Sequence, residues 1–111
     1  MNAKQLAEKM KLEIINLCDN GSELTKVFCC DLLSVAMSKA PAGCVWVTVM
    51  GNVNSIAVSS LTEGGCIILA EGTSLDNVSA EKAKEQEINV FRSDKPVFEL
   101  AKEADRLLGN A

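Results

Sequence analysis

Two short apolar runs constrain the fold of this chain more than any other feature of its sequence. They are Cys44–Met50, CVWVTVM, and Cys66–Ala70, CIILA, and both are rich in β-branched residues. Strands that are covered on both faces give nearly continuous apolar runs of this length, whereas strands with one solvated face alternate between apolar and polar residues. The two runs therefore predict buried strands of a parallel sheet.

Segments with a helical period alternate with these strands. Leu12–Leu17 and Ile88–Phe91 are weaker strand candidates. Helices are predicted at Ala3–Met10, at Asp31–Ala40 and from Val53 to Leu61, where Gly64-Gly65 ends the helix. A fourth helix is predicted around Leu75, Val78 and Ala83, and it follows the capping pattern Thr73-x-x-Asp76. The last helix is predicted from Val97 to Leu108, with Ser93 or Asp94 as its cap. The order α-β-α-β-α-β-α-β-α predicts an α/β fold, a three-layer α/β/α sandwich with a mainly parallel sheet of about four to five strands.

The length of 111 residues and the 48% apolar composition fit one domain, residues 1–111. Cys18–Lys26, CDNGSELTK, is the one polar stretch long enough to form a mobile loop. No apolar run approaches the roughly 20 residues of a membrane span, and the first eleven residues lack the apolar stretch of a signal peptide. We therefore expect a cytoplasmic protein that does not bind a membrane.

The charge balance bears on the class of partner. Eleven Lys and Arg against fifteen Asp and Glu give a net charge of −4. A protein that binds nucleic acid gains affinity by neutralising phosphates and needs the opposite sign. Nucleic acid is therefore not an expected partner.

Cysteine and histidine usage limits the possible chemistry. Five cysteines, an odd number, without an export signal predict reduced thiols. Cys44 and Cys66 are expected to be small apolar residues of buried strands, and Trp46 a core residue whose indole N–H needs a partner. With no histidine in the chain, zinc has no nitrogen ligand and Cys-His or Ser-His nucleophile pairs are impossible. No metal and no cofactor are predicted.

Three turns that follow predicted strands form the candidate site. Ligands of parallel sheets bind beyond the carboxyl ends of the strands, where helix N-termini favour an anion. The candidate ligand-binding residues are Gly51, Asn52, Asn54 and Ser55 after the second predicted strand, Glu71, Gly72, Thr73 and Ser74 after the third, and Arg92 and Ser93 after the fourth. Arg92 would pair with phosphate or carboxylate. Folding alone also explains these residue types, because Asn54, Thr73 and Ser93 are good helix N-caps.

Catalytic templates are missing from the chain. Neither G-x-x-x-x-G-K-[ST] nor G-x-G-x-x-G occurs, so the sequence predicts a protein that is not an enzyme. One enzymatic alternative is a phosphate-handling activity with Glu71 or Asp76 as base and Arg92 as electrostatic clamp. A further alternative is cysteine-based redox sensing at Cys29-Cys30.

Four stretches carry a family resemblance that spans nearly the whole chain. DLLSVAM, VWVTVMGNVNSIAVSSL, GGCIILAEG and EKAKEQEINVF resemble the small stand-alone DRTGG-type proteins of anaerobic bacteria. The name-giving motif falls at Gly51-Asn52-Val53 and Ala70-Glu71-Gly72, where only Gly51 and Gly72 match. In stand-alone relatives the first turn more often resembles His-x-Asn, and Asn52-Val53-Asn54 keeps the Asn. The motif is therefore degenerate.

The resemblance implies a fold similar to the N-terminal domain of HPr kinase/phosphorylase and a non-catalytic regulatory or ligand-sensing module. Such a module would bind an anionic metabolite or nucleotide at the carboxyl edge of the sheet. The resemblance also implies a homodimer and a signalling or hydrogenase-linked context. The alternative is a protein–protein adaptor without a small-molecule ligand, with an exposed apolar surface around Val27-Phe28 or Phe98 that binds a protein partner.

Overall fold

The computed structural model describes residues 1–18 and 23–109. Four of the nine residues of the predicted loop Cys18–Lys26, residues 19–22, lie outside the described residues. The helices are α1 (Ala3–Met10), α2 (Leu33–Lys39), α3 (Val53–Leu61), α4 (Asn77–Glu85) and α5 (Val97–Leu107). The strands are β1 (Glu13–Asn16), β2 (Val27–Cys29), β3 (Val45–Thr48), β4 (Cys66–Leu69) and β5 (Val90–Arg92).

The strands form one five-stranded sheet in the order β1-β5-β4-β3-β2. β2, β3, β4 and β5 are parallel, and β1 pairs with β5 in the antiparallel direction. The predicted mainly parallel α/β sheet is confirmed. β2 was not predicted, because its three residues are too few to produce a recognisable apolar pattern and one of them, Cys29, is exposed.

Helices cover both faces of the sheet. α1 and α5 pack on the face that receives Val45 and Val47, whereas α2, α3 and α4 pack on the face that receives Trp46 and Ile67. Right-handed crossovers that always step in the same direction place α2, α3 and α4 together on one face. α5 follows β5 onto the opposite face, so the carboxyl ends of the neighbouring strands β4 and β5 lead to helices on opposite sides.

The predicted N-caps of α3, α4 and α5 are wrong, although the helices themselves are present. Asn52, not Asn54, caps α3, and its side chain accepts hydrogen bonds from the N–H groups of Asn54 (2.9 Å) and Ser55 (3.2 Å). Asn54 already lies inside the helix. Asp76, not Thr73, caps α4 by accepting from the Ser79 N–H at 2.7 Å.

The start of α5 also differs from the prediction. Neither Ser93 nor Asp94 caps this helix, which begins after Pro96 without a side-chain cap. Proline has its φ fixed near the value that leads into a helix, so the chain can turn there without a capping side chain. The Ser93 hydroxyl instead accepts a hydrogen bond from the Lys95 N–H at 3.2 Å.

The buried cysteines and the single tryptophan lie where the sequence predicted them. Cys44 and Cys66 are 2% and 0% exposed, and Trp46 is 1% exposed. The indole N–H of Trp46 donates to the carbonyl oxygen of Cys30 at 2.9 Å, which satisfies its only donor. This bond connects the buried strand β3 to the segment between β2 and α2.

Candidate site at the carboxyl edge of the sheet

The three predicted turns lie side by side along one edge of the sheet. A Cβ at Gly51 would lie 2.6 Å from the Ser74 carbonyl oxygen and 3.0 Å from the Thr73 methyl group. Any side chain at Gly51 would therefore push the turn after β4 away from the turn after β3. A Cβ at Gly72 would lie 2.9 Å from the Asp94 carboxylate. The turn after β5 therefore lies next to the turn after β4.

The space beyond β4 and β5 is closed by the chain itself. A ligand cleft is expected at this point, because neighbouring strands here connect to helices on opposite faces. The Glu71 N–H donates to the Lys95 carbonyl and the Gly72 N–H donates to the Ser93 carbonyl, both at 2.9 Å. Two of the N–H groups predicted to face a ligand are thus already bonded, so an anion could reach them only by displacing a backbone carbonyl.

Arg92 is held by the same loops. Its Nε donates to the Thr73 carbonyl oxygen at 3.2 Å, and its Nη2 donates to the Gly72 carbonyl oxygen at 2.6 Å. Its Nη1 forms an ion pair with the Glu13 carboxylate at 2.9 Å. The guanidinium therefore fixes the turn after β4 against β1 and β5, and a role as a ligand clamp remains a prediction.

The turn before α3 is the open part of this edge. The N–H groups of Gly51, Asn52 and Val53 have no hydrogen-bond acceptor in residues 1–18 and 23–109. Asn52, Val53 and Asn54 are exposed. Ser55 differs, because it is 1% exposed and its hydroxyl donates to the Met50 carbonyl oxygen at 2.6 Å. The Ser55 hydroxyl therefore fixes the Met50 carbonyl at the start of the turn.

Asp31 is a polar residue of this edge that was not among the predicted ligand-binding residues. Its Oδ1 accepts from the Thr48 hydroxyl at 2.7 Å and from the Val49 N–H at 3.1 Å. Asp31 follows the unpredicted strand β2, so its position could not be inferred. The buried Thr48 within the apolar run was the available signal, because a buried hydroxyl needs a partner.

Two of the three groups named for an enzymatic alternative, Asp76 and Arg92, have structural roles. Hydrogen bonds from the N–H and hydroxyl of Ser79 hold the pKa of Asp76 below its usual value, so this carboxylate is a weak base that caps α4. The donors of Arg92 are bonded to Thr73, Gly72 and Glu13. Within the described ranges, no three His, Cys, Asp or Glu side chains lie close enough together to hold a metal ion. In the same part of the chain, no helix has the length and apolar character needed to cross a bilayer.

Three of the five cysteine thiols, those of Cys29, Cys44 and Cys66, are expected to react slowly in the folded protein. Burial raises the pKa of Cys44 to about 11 and raises that of Cys66 further. Partial burial and the nearby Asp31 carboxylate raise the pKa of the exposed Cys29. Since the thiolate is the reactive form, labelling at pH 7.5 followed by mass spectrometry should leave Cys44 and Cys66 unmodified and modify Cys29 more slowly than a free thiol. Rapid modification of Cys29 would contradict this and favour redox sensing.

The same pKa values predict a loss of stability at alkaline pH. A thiol whose pKa is higher in the folded state keeps its proton at a pH where the unfolded chain loses it. The unfolded state is therefore stabilised relative to the folded state as pH rises above about 9. For Cys44, with a folded pKa of about 11, the free energy of unfolding should fall by about 1 kcal/mol between pH 8 and 10. Urea denaturation of the wild-type protein and of Cys44→Ala should show a smaller decrease in the variant.

Comparison with known proteins relates the fold to a solved structure. No protein-family model and no curated protein matches this chain. A crystal structure of the CBS and DRTGG domains of the regulatory region of Clostridium perfringens pyrophosphatase, complexed with the activator diadenosine tetraphosphate, is similar with a TM-score of 0.74 at 13% sequence identity. The match covers 93% of this chain and 45% of that chain, so this protein spans less than half of the longer structure. This chain therefore has a DRTGG-like α/β fold.

Proposed function

We propose that this chain is a non-catalytic regulatory module that senses a small anionic ligand at the turn from Gly51 to Asn54. The observation that carries the proposal is that three consecutive backbone N–H groups, those of Gly51, Asn52 and Val53, have no acceptor in the described part of the chain. They lie at the N-terminus of α3, where the helix dipole favours negative charge. A nucleotide or another metabolite with a phosphate or carboxylate group supplies the matching acceptors.

The other candidate residues receive supporting roles in this proposal. Asn54 is exposed beside the three N–H groups and would add a side-chain donor. Thr73 and Ser74 pack against Gly51 and fix the position of the turn between β3 and α3. Ser55, Glu71, Gly72, Arg92 and Ser93 hold the surrounding loops through the hydrogen bonds described above. Asp31 adds a negative charge next to Val49, which would weaken the binding of highly charged anions.

A regulatory role is supported by analogy with the similar structure, which belongs to the regulatory region of a pyrophosphatase and contains a nucleotide activator. Fold alone does not determine function, so the experiment below tests the turn directly. On the resemblance to stand-alone DRTGG-type proteins, we further propose that the module works as a homodimer in the cytoplasm, in a signalling or hydrogenase-linked context.

A thermal-shift screen with a proline variant tests the ligand. Val53→Pro removes one of the three N–H groups, and the helix should tolerate it because Val53 is the first helical residue and Asn52 before it is extended (φ −143°, ψ 174°). Nucleotides, phosphate, acyl phosphates and dicarboxylates form the panel. A ligand at 100 times its Kd should raise the Tm of the wild-type protein by several degrees, and Val53→Pro should lose most of that increase.

Asn77→Pro is the matched control for the screen. Asn77 is the first residue of α4 and follows the extended Asp76 (φ −70°, ψ 167°), but the Asp76 carboxylate caps this helix and repels anions. This variant should keep the full ligand response and a Tm close to that of the wild type. A response that Val53→Pro retains would refute the proposed turn.

The second candidate function is a protein–protein adaptor without a small-molecule ligand. The predicted apolar surface at Phe98 is present, since its side chain is 73% exposed, whereas Val27 and Phe28 are half-buried. A larger set of exposed apolar side chains lies elsewhere, on α2 and α3. No response to any ligand of the panel would favour the adaptor.

A further inference from the structure

Two buried hydroxyl groups hold the residue that leads into the turn before α3. The Met50 N–H donates to the Thr48 hydroxyl oxygen at 3.2 Å, and the Met50 carbonyl oxygen accepts from the Ser55 hydroxyl at 2.6 Å. Thr48 and Ser55 are 0% and 1% exposed, so these bonds lie in a medium of low dielectric constant, where they are stronger than in water. Both backbone groups of Met50 are therefore fixed by side chains.

The bond to Ser55 also sets the direction of the Gly51 N–H group. The peptide bond between Met50 and Gly51 is trans, and in a planar trans peptide the C=O and the N–H point in opposite directions. Because the Met50 carbonyl points at the Ser55 hydroxyl, the Gly51 N–H is directed away from Ser55. This N–H group is thus oriented before any ligand binds.

Asp31 fixes the Thr48 hydroxyl in turn. This hydroxyl donates to Oδ1 of Asp31 at 2.7 Å, and the Val49 N–H donates to the same oxygen at 3.1 Å. A hydroxyl has one proton, so its donation to Asp31 directs the lone pairs of Thr48 towards the Met50 N–H. Asp31, Thr48 and Met50 therefore form a chain of hydrogen bonds that begins at the carboxylate and ends at the turn.

The same carboxylate brings a negative charge close to the turn. Its Oδ1 is 2.7 Å from the Thr48 hydroxyl oxygen, which is 3.2 Å from the Met50 nitrogen, and the Gly51 nitrogen is one residue further along the chain. Asp31 thus lies within about 10 Å of the Gly51 N–H, which is about one Debye length at 0.1 M salt. Among the described residues, no cation forms an ion pair with Asp31.

The charges on the other side of the turn do not compensate for Asp31. A shallow groove of about 400 Å³ next to Val53 has Glu81, Lys82 and Glu85 among its lining residues. Two carboxylates and one ammonium add a net charge of −1 there. Proteins bind multiply charged anions with several Arg or Lys side chains, whereas carboxylates outnumber cations around this turn.

We propose that Asp31 is a positioning and specificity-determining residue of this turn, and that the ligand is an anion with a single negative charge, such as a monocarboxylate. Through Thr48, the Asp31 carboxylate fixes the backbone that leads into the turn. Through its charge, it disfavours ligands that carry two or more negative charges. The inference rests on the proposed anion site and narrows its ligand from anions in general to monoanions.

Propionate and succinate test the charge selection, since both bind through a carboxylate and they differ in charge. Titration of ¹⁵N-labelled protein at constant ionic strength gives the Kd of each, and the wild-type protein should bind propionate at least as tightly as succinate. Asp31→Asn keeps an oxygen that accepts from Thr48 and Val49 but removes the charge. It should lower the Kd of propionate by about 3-fold and that of succinate by about 10-fold, because the repulsion acts on each charge of the ligand.

Glu99→Gln is the matched control for net charge. It removes one carboxylate from α5, which packs on the other face of the sheet from α3, and should leave both Kd values unchanged. An equal decrease of the two Kd values in Asp31→Asn, or the same decreases in Glu99→Gln, would refute charge selection by Asp31. Tighter binding of succinate than of propionate by the wild-type protein would also refute it.

The positioning role has a readout that needs no ligand. Thr48→Val removes the hydroxyl and Asp31→Ala removes its acceptor, so both should change the one-bond N–H residual dipolar coupling of Gly51, whereas Thr48→Ser and Asp31→Asn should keep the wild-type value. An unchanged coupling in Asp31→Ala, whose substituted residue is exposed, would refute the positioning role even if Thr48→Val does not fold. If the wild-type protein binds neither probe nor any ligand of the panel, the proposed function and the charge selection both fail, and the Gly51 coupling still decides the positioning role. Circular dichroism of each variant checks that it is folded.

Discussion

Replacing Trp46 with alanine is expected to lower the free energy of unfolding by about 3 to 5 kcal/mol, a large part of the roughly 5 to 15 kcal/mol of a domain this size. Trp46 is 1% exposed and packs in the cluster between the sheet and α2, α3 and α4. Alanine would leave a cavity there and would remove the donor for the Cys30 carbonyl. Urea denaturation followed by circular dichroism measures the change, since the variant has no tryptophan.

Two controls separate packing from surface effects at Trp46. Trp46→Phe keeps most of the ring volume but loses the indole N–H, so it should cost about 1 to 2 kcal/mol. Phe98→Ala removes an aromatic ring that is 73% exposed and should change stability by less than about 0.5 kcal/mol. A Trp46→Ala protein within about 1 kcal/mol of the wild type would contradict the described core.

Arg92→Ala is the second substitution with a large expected effect, about 2 to 3 kcal/mol of stability. It leaves the carbonyl oxygens of Gly72 and Thr73 without their donors, and each lost partner of a partly buried group costs about 1 to 3 kcal/mol. The pair with Glu13 adds little, because the Glu13 side chain is 62% exposed. Chemical denaturation measures the loss.

Arg106→Ala is the control for charge, since Arg106 lies exposed on α5 and its removal should change stability by less than about 0.5 kcal/mol. If Arg92→Ala is as stable as Arg106→Ala, the hydrogen bonds to the turn after β4 do not stabilise the fold. The expected cost also affects the search for ligands. A ligand response lost in Arg92→Ala could follow from a displaced loop, whereas loss in Val53→Pro concerns a single N–H group.

The parallel sheet could be predicted from the sequence, but strand β2 at one edge and the direction of strand β1 at the other could not. Cys44–Met50 and Cys66–Ala70 could be predicted as strands because burial on both faces leaves a continuous apolar run. β2 could not, because Val27–Cys29 is short and partly exposed, and the antiparallel direction of β1 depends on tertiary packing. Asn52 and Asn54 are equally good caps by type, so only the path of the chain decided between them.

The candidate site was predicted less well than the fold. The three turns follow strand ends and could be assigned to one edge from the α/β order. The state of each N–H group in those turns could not be predicted, because it depends on which loop lies opposite. The positive charge of Arg92 is visible in the sequence, but its ion pair with Glu13 joins residues 79 positions apart. The exposure of Val53, Ala57 and Leu61 on α3 could not be predicted either, since periodicity does not reveal which side of an apolar helix is covered.

The central claim is that the turn before α3 binds an anion while the space beyond β4 and β5 is closed. A titration of ¹⁵N-labelled protein with a ligand from the thermal-shift panel, or with inorganic phosphate, tests it at individual amides. We expect saturable shifts that are largest at Gly51, Asn52 and Val53 and small at Glu71 and Gly72, whose N–H groups are bonded to Lys95 and Ser93. Larger shifts at Glu71 and Gly72, or no saturable shift at Gly51–Val53, would contradict the account.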